Sequence, residues 1–239
     1  MRHLVISDVH ANLEALEAVL EAAPDHEAVL FLGDLVGYGP NPNECVDLVR
    51  RLPGLTALVG NHDLAALGLI DSADFNDVAR AAALWTGEQL TDESRSFLSG
   101  LKPALSQGEI YLAHASPRDP VWEYMESPGQ GPPNFARFKQ RTCFVGHTHI
   151  PRVFEEPSGV RIPRPGESLA LHAPPRRIVN PGGVGQPRDH DPRAAYGIFD
   201  AETGGFAFRR VPYDIAGTQQ KILAAGLPAA LASRLELGA

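Results

Sequence analysis

The feature that most constrains the fold is an alternation of short apolar segments with amphipathic segments over the first 150 residues. Residues 3–7, with an apolar run at 4–6, are typical of a buried strand, and a helical stripe of leucine and valine follows Asn12, a residue suited to cap a helix. Pro24 ends that helix, and residues 28–32 form the next apolar run. Alternation of this kind is typical of βαβ units, so we expect an α/β fold.

The alternation continues to residue 145 and then changes. Further strands are predicted at 56–59, 109–113 and 142–145, and further helices at 44–52 (with Pro42 at the first helical position), 62–69, 76–88 and 92–100. After Pro151 the predicted strands are short and separated by turn residues; they cover 152–155, 160–163, 168–172, 176–179, 194–200 and 206–211, and helices at 214–225 and 228–235 follow. This later pattern indicates a meander or a second sheet, and we expect one domain, residues 1–239, with two packed sheets.

The composition limits the class of protein. With 239 residues, of which 44% are hydrophobic, the chain can bury a core without disulfides, and its two cysteines, Cys45 and Cys143, are expected to be inert core residues. The formal charge of −8 argues against a broad basic face for a nucleic-acid duplex. No apolar run is long enough for a signal peptide or a membrane span, so we expect a cytoplasmic protein without a membrane partner.

Polar motifs stand at the ends of five predicted strands, where an α/β sheet brings side chains from distant segments to one crevice. The motifs are Asp8-Val-His10, Gly33-Asp34, Gly60-Asn61-His62-Asp63, His114 and Gly146-His147-Thr148-His149. Burial of so many polar groups is unfavourable unless they are satisfied, and bound metal would satisfy them. The sequence therefore predicts a metal centre.

The spacing and the type of these residues predict two ions. In an extended segment, residues two apart point the same way, so Asp8 and His10 are expected to converge on one ion. His147 and His149 would each serve a different ion of a pair, and Asp34, which follows a glycine, would bridge the two. Imidazole and carboxylate ligands without thiolate favour Mn, Fe, Co or Zn over Ca or Mg. Two divalent ions against two carboxylates leave a positive site that attracts phosphate.

Together the motifs resemble the signature of the calcineurin-like metallophosphoesterases, over residues 5 to about 200. Residues 37–42, 116–120 and 180–189 resemble a bacterial subgroup that includes phosphodiesterases of broad substrate range and asymmetric dinucleoside tetraphosphate hydrolases. The resemblance implies a four-layer α/β/β/α sandwich of two mixed sheets. It also implies two sets of metal ligands: Asp8, His10, Asp34 and His149 for one ion, and Asp34, Asn61, His114 and His147 for the other. The chain departs from the family pattern at Ala115 and Gly183, where the family commonly has glycine and serine.

The resemblance implies an activity as well: hydrolysis of a phosphoester or phosphoanhydride bond by a water molecule that two divalent ions share, with Mn as the expected metal. Asp34, as the bridge, and His62, as a general acid to the leaving oxygen, are the predicted catalytic residues. The expected substrate is a small phosphorylated molecule such as a nucleotide. A serine/threonine-type protein phosphatase and a non-catalytic metal-binding scaffold of the same fold stay open as alternatives, and no oligomeric state is predicted.

Four residues outside the ligand sets are predicted to contact substrate. Arg118, Arg188 and Arg193 carry guanidinium groups that match phosphate oxygens. Tyr38 is a candidate to stack on a base. Each has a structural alternative, which is a surface ion pair for the arginines and packing within a loop for the tyrosine.

Some histidines and polar motif residues have structural alternatives too. Asn61 would give its amide oxygen to a metal or would cap the helix that follows it. His114 would bind metal or would be a hydrogen-bonded histidine at a strand end, and Asp63 is expected to cap or orient rather than react. The histidines outside the motifs are expected to be structural or surface residues: His3, His26, His172 and His190.

Overall fold

The computed structural model describes residues 1–164 and 166–239, and it contains two sheets of six strands each. In chain order the strands are β1 (Arg2–Ile6), β2 (Ala28–Phe31), β3 (Thr56–Ala57), β4 (Ala104–Gln107), β5 (Ile110–Ala113), β6 (Thr142–Phe144), β7 (Arg152–Glu155), β8 (Gly159–Arg161), β9 (Ser168–Ala170), β10 (Arg177–Asn180), β11 (Ala194–Asp200) and β12 (Gly205–Val211). The first sheet has the order β3-β2-β1-β11-β12-β9 and the second the order β4-β5-β6-β10-β7-β8. Both are mixed: β1, β2 and β3 run parallel in the first, β5, β6 and β10 run parallel in the second, and antiparallel strands flank them.

Several helices begin at a residue whose side chain caps them. The helices are α1 (Leu13–Ala22), α2 (Pro42–Val49), α3 (Asn61–Ala66), α4 (Asp77–Gln89), α5 (Asp92–Ser99), α6 (Gly131–Phe135), α7 (Ile215–Ala224) and α8 (Ala229–Leu237). The Asn12 side chain caps α1, as predicted. Gly60 takes the N-cap position of α3, and the Asp63 carboxylate accepts hydrogen bonds from the backbone N–H groups of Gly60 and Val36, each at 2.9 Å, so Asn61 does not cap that helix. Among the described helices, none combines the length and apolar content that crossing a bilayer requires.

Alternate residues of the central strands face different buried clusters, and this alternation creates the layers. Leu4 and Ile6 of β1 pack against the side of the first sheet that α1 and α2 cover. Val5, between them, packs with Phe144 of β6 in a cluster that lies between the two sheets. A further cluster that includes Phe135 of α6 covers the far face of the second sheet. The order helix, sheet, sheet, helix confirms the predicted α/β/β/α sandwich of two mixed sheets.

The strands after Pro151 do not form a sheet of their own, so that expectation is wrong. β11, β12 and β9 extend the first sheet outward from β1, whereas β10, β7 and β8 extend the second sheet outward from β6. The apolar period of a segment predicts a strand but carries no information about its partner. Without the later strands, β1 and β6 would each be an edge strand with unpaired backbone N–H and C=O groups. β11 pairs with β1 and β10 pairs with β6, and these pairings satisfy those groups.

Smaller differences occur at element ends and at a sheet edge. β3 covers two residues rather than the predicted 56–59, and α3 ends at Ala66 rather than at residue 69. β4 was not predicted; it pairs antiparallel with β5 at the edge of the second sheet, and its four residues are only partly buried or exposed. A strand of that kind has no strong apolar pattern to mark it.

Both cysteines lie in the core, as expected. Cys45 is on α2 and Cys143 on β6, and both are fully buried free thiols. Burial raises the pKa of both thiols well above the ordinary value, so neither forms a reactive thiolate at neutral pH.

Candidate metal centre

The predicted metal ligands come together at the carboxyl ends of the parallel strands of both sheets. Asp8 and His10 follow β1, Asp34 follows β2, Asn61 follows β3, His114 follows β5, and His147 and His149 follow β6. All of these side chains are buried. Hydrogen bonds join the loops that carry them, within each sheet and between the two: Asp8 N–H donates to Gly33 O at 3.0 Å, Gly146 N–H to His114 O at 2.7 Å, and His147 N–H to the Asp8 carboxylate at 3.1 Å. The parallel strands of the two sheets therefore end around one shared crevice.

The donor atoms form two groups that share one carboxylate. Donor atoms within 4.8 Å of one another belong in the first group to Asp8, His10, Asp34 and His149, and in the second to Asp34, His114 and His147. Asp34 Oδ2 lies 3.7 Å from His10 Nε2 and 3.4 Å from His114 Nε2. The amide oxygen of Asn61 is 3.1 Å from His114 Nε2 and so adds an oxygen to the second group. Asp34 thus faces both groups with the same oxygen atom.

The loops hold most of these residues in strained backbone conformations. Residues other than glycine rarely have φ between 50° and 65°, yet five candidate ligands do: Asp8, His10, Asp34, His147 and His149. The expected extended segment through Asp8 and His10 is therefore wrong, because β1 ends at Ile6 and the two side chains converge through tight turns. Strain of this kind persists only where the surrounding structure holds it, and it is concentrated at functional sites.

Three of the imidazole rings direct Nδ1 at a backbone carbonyl and Nε2 into the site. The pairs are His10 with Val36 (3.2 Å), His149 with Gln186 (2.6 Å) and His114 with Leu32 (2.8 Å). Because a carbonyl oxygen can only accept, Nδ1 carries the proton, and Nε2 has a free lone pair whenever the ring is neutral. Carbonyls placed in this way fix the tautomer and the orientation of metal-binding histidines.

These lone pairs fit a bound divalent cation. Nε2 of His10 and Nε2 of His149 face each other at 3.1 Å, and two unprotonated nitrogens at that distance repel unless a cation is bound beside them. Asp34 Oδ2 and His147 Nε2 are buried and have no hydrogen-bond partner among the described residues. Imidazole nitrogens and carboxylate oxygens without a thiolate suit a transition metal. The residues present therefore fit the metal centre that the sequence predicts.

Burial keeps most imidazoles of the site neutral at pH 7. Burial lowers the pKa of His147 to about 3 and the pKa of His62 to about 4. It also lowers the pKa of His10 and His149 well below the ordinary value. Neutral rings offer lone pairs rather than protons, which is the form that a metal requires.

Asp34 carries negative charge at the centre of the site. Burial alone would raise its pKa, but the neighbouring rings of His114 and His62 lower it well below the ordinary value. Asp34 in turn outweighs the burial of His114 and raises the pKa of that ring to about 9. Burial raises the pKa of the Asp8 carboxyl to about 7, and a bound cation would favour the ionised form of that group.

His62 lies beside the donor groups without belonging to either. Its ring centroid is 4.9 Å from that of His10 and 4.3 Å from that of Tyr38. Its backbone N–H donates to Asp34 Oδ1 at 2.9 Å, and its Nδ1 is buried without a partner in the part of the chain that the structure describes. The ring is therefore held next to the ligands with one nitrogen unused.

Two of the predicted substrate contacts, Tyr38 and Arg188, line the site. The Tyr38 ring lies 4.7 Å from the His10 ring, and the Arg188 guanidinium lies 5.8 Å from the centre of the Tyr38 ring. Arg188 donates to Gln186 Oε1 at 2.9 Å, whereas its Nε is buried and has no partner among the described residues. After burial, Arg188 is the largest cause that lowers the pKa of His149. Its charge therefore acts on the donor groups directly.

The other two arginines form ion pairs. Arg118 pairs with Glu123, whose carboxylate also accepts from the Ser116 hydroxyl at 2.5 Å. Arg193 binds the Asp191 carboxylate through two nitrogens, at 2.9 and 2.6 Å. Both guanidinium groups are partly exposed. The structure thus places these two residues in the ion pairs that the sequence leaves open as an alternative.

Two aromatic side chains border the site, and a third packs on one of them, although no motif includes any of the three. Phe75 stacks on His62 with ring centroids 4.7 Å apart, and Trp122 meets Phe75 edge-on at 5.5 Å. Tyr124 lies 4.0 Å from the His147 ring, centroid to centroid. All three lie outside regular helices and strands, where hydrophobic periodicity gives no signal. The sequence offers one hint, which is the pair of aromatic residues at 122 and 124 in a segment that lies between predicted strands.

Both departures from the family pattern lie next to candidate ligands. A Cβ atom at Gly183 would lie 3.0 Å from Cβ of His149, so a serine there would press on a candidate ligand. Ala115 is fully buried, and its N–H donates to Pro120 O at 3.0 Å. Nothing in these contacts explains why alanine replaces glycine at 115.

Gly33→Ala is expected to destabilise the protein and loosen the metal centre. Gly33 has φ of +97°, and a Cβ atom there would lie 2.6 Å from Nδ1 of His114. The matched control is Gly68→Ala, since Gly68 has φ of +73° but nothing within 4 Å of a Cβ atom. Strain alone should lower the free energy of unfolding of the control by about 1–2 kcal/mol, and displacement of His114 should lower that of Gly33→Ala by about 1–3 kcal/mol more. Urea unfolding and metal content measure both effects; equal losses in the two variants would contradict the steric explanation.

The fold has counterparts among known proteins. Residues 1–204 match the family model described as the calcineurin-like phosphoesterase superfamily domain. The protein therefore belongs to the calcineurin-like phosphoesterases, as its motifs predict, and it is a metal-dependent phosphoesterase.

Individual relatives support the same assignment. The chain is 39% identical to the Methanocaldococcus jannaschii protein MJ0912 over 244 residues, which cover 98% of this chain and 97% of the relative. It is 45% identical to a metallophosphoesterase of Sphaerobacter thermophilus whose crystal structure superposes with a TM-score of 0.92, covering 100% of this chain and 99% of that one. It is also 29% identical over 125 residues to the symmetrical bis(5'-nucleosyl)-tetraphosphatase of Methylococcus capsulatus, a match that covers 49% of this chain and 42% of the relative.

Proposed function

We propose that this protein hydrolyses phosphodiester or phosphoanhydride bonds of small molecules with the help of two divalent transition-metal ions. Asp8, His10, Asp34 and His149 would hold one ion, and Asp34, Asn61, His114 and His147 the other. The observation that carries the proposal is the position of Asp34 Oδ2, 3.7 Å from His10 Nε2 and 3.4 Å from His114 Nε2. A carboxylate shared by two donor groups is the arrangement that a pair of ions requires. The donor set suits Mn, with Fe, Co or Zn as alternatives.

The ions, when bound, supply positive charge to the phosphate oxygens and activate water for attack on phosphorus. The residues of the chain would orient the substrate and protonate the leaving oxygen. His62 is the candidate to give a proton to the leaving oxygen, because it borders the first donor group and has an unused Nδ1. Burial lowers the pKa of His62 to about 4, and the negative charge of a bound phosphate would favour the protonated form of the ring.

The side chains around the donor groups support a nucleotide as substrate. Arg188 has an unused buried Nε at the edge of the site and would bind a phosphate oxygen. The Tyr38 ring, next to it, is buried within a cluster of apolar side chains, which favours packing within the loop over the predicted stacking on a base. The similarity to symmetrical dinucleoside tetraphosphatases favours nucleoside polyphosphates among the candidates. Arg118 and Arg193 would reach substrate only by leaving Glu123 and Asp191.

Metal removal tests the proposed activity. We expect the chelated protein to be inactive on bis(p-nitrophenyl) phosphate and to recover turnover when Mn²⁺ is added, with about two ions bound per chain by mass spectrometry. Fe²⁺, Co²⁺ and Zn²⁺ are tested in parallel, and a screen of nucleotides and dinucleoside polyphosphates with the Mn²⁺-loaded protein then ranks substrates. A folded protein that binds the ions but hydrolyses nothing in this series would contradict the proposed activity. That result would favour a non-catalytic metal-binding scaffold.

A further inference from the structure

An aromatic wall borders His62 and the second donor group. We use this name for the side chains of Phe75, Trp122 and Tyr124. Phe75 stacks on His62, with an angle of 29° between the ring planes, and Trp122 meets Phe75 nearly edge-on, at 73°. Tyr124 lies against His147, at the second donor group. Two separate segments of the chain thus place aromatic rings beside the reacting centre.

The wall is accessible as well as close. Tyr124 is 44% exposed although its ring is packed on a buried candidate ligand, and Phe75 and Trp122 are half-buried. An exposed aromatic ring gains little from folding, since burial of its surface is what stabilises it. Rings that stay accessible beside a polar reacting centre are typical of binding sites whose ligand has one flat apolar part and one charged part.

We propose that Phe75, Trp122 and Tyr124 form the subsite that binds the nucleobase of a nucleotide substrate, while Arg188 and the donor groups bind its phosphates. The proposal rests on the proposed function, because it places the phosphate of the same molecule at the metal centre. Every nucleobase has a π face and stacks on aromatic side chains largely regardless of sequence, so the wall selects nucleotides over base-free phosphate esters without strongly distinguishing among bases.

Two substrates with the same leaving group test the subsite. The p-nitrophenyl ester of thymidine 5′-phosphate carries a base, and methyl p-nitrophenyl phosphate does not. With the Mn²⁺-loaded full chain, we expect KM for the thymidine ester to be about 10-fold lower, and we expect Trp122→Ala or Tyr124→Ala to remove most of that difference. Tyr124→Phe keeps the ring and should recover most of the discrimination that Tyr124→Ala loses. Leu223→Ala, which shortens a side chain that is 54% exposed on α7, is the control and should leave both KM values unchanged.

A binding measurement separates failure of the subsite from failure of the proposed function. Isothermal titration calorimetry compares adenosine 5′-monophosphate with ribose 5-phosphate, and the nucleotide should bind about 10-fold more tightly to the parent protein but not to Trp122→Ala. If both esters are hydrolysed with equal KM and both ligands bind equally, the subsite is refuted while the phosphoesterase activity stands. If neither ester is hydrolysed, the proposed function fails, and calorimetry still decides whether the wall binds a base.

Discussion

Replacing Asp34 by asparagine is expected to reduce turnover by at least about 10³-fold, since several kcal/mol of charge stabilisation in the transition state correspond to such a factor. The neutral amide would remove the carboxylate that faces both donor groups. It would retain an oxygen to accept the His62 N–H, which Asp34 Oδ1 accepts at 2.9 Å in the parent. The loop should therefore keep its shape while metal binding fails. Turnover of bis(p-nitrophenyl) phosphate and metal content per chain measure the two effects.

The matched control for this variant is Asp25→Asn. The Asp25 side chain is 82% exposed, and its carboxylate lies 3.8 Å from Arg2, an ion pair that contributes little to stability. This control should match the parent protein in turnover and in metal content. Near-parental activity in Asp34→Asn, with the metal content unchanged, would refute a shared carboxylate as the centre of the site.

Replacing His62 by glutamine is expected to lower kcat by about 10²–10⁴-fold on substrates whose leaving group is a sugar hydroxyl. The glutamine side chain cannot donate a proton as an acid, whereas the candidate metal ligands remain in place. The loss should be much smaller with p-nitrophenyl esters, because p-nitrophenolate leaves readily without a proton. A leaving-group dependence of this kind identifies protonation of the leaving oxygen, which a merely structural role of His62 would not produce.

Metal content and a second histidine variant keep this test interpretable. Metal content should match that of the parent, because His62 belongs to neither donor group. His172→Gln removes an exposed histidine in the turn after β9 and should leave kcat unchanged for both kinds of leaving group. An equal loss of kcat on sugar and p-nitrophenyl leaving groups would mean that His62 positions other groups rather than protonating the leaving oxygen.

The candidate ligands could be predicted because each follows an apolar run that is itself a recognisable strand. Asp34 illustrates this: residues 28–32 are uniformly apolar, β2 forms there, and the carboxylate comes directly after a glycine beyond its end. Spacing alone could not predict the backbone conformation that directs these side chains into the metal centre. Asp8 and His10 have φ of 55° and 50°, and contacts with neighbouring loops hold them there, such as the hydrogen bond from His10 N–H to Asp34 O at 3.0 Å.

Residues whose role depends on their neighbours in the folded chain were harder to predict. Arg118 and Arg188 both follow a proline and look alike as possible phosphate ligands. In the folded chain Arg118 is paired with Glu123, whereas Arg188 lies beside Tyr38 with an unused nitrogen. Whether a guanidinium is free depends on which carboxylates lie near it in space. The sequence does not contain that information in local form.

By itself the sequence determined the order of most strands and helices, the buried strand that precedes each ligand motif, and the kinds of donor atoms in the site, since these follow from local patterning and residue chemistry. Only the tertiary structure decided that β11 joins β1 while β10 joins β6, that one oxygen of Asp34 faces both donor groups, and that Tyr124 lies on His147. Strand partners and side-chain contacts depend on which surfaces remain open once the rest of the chain has packed. That is a property of the whole fold rather than of any segment within it.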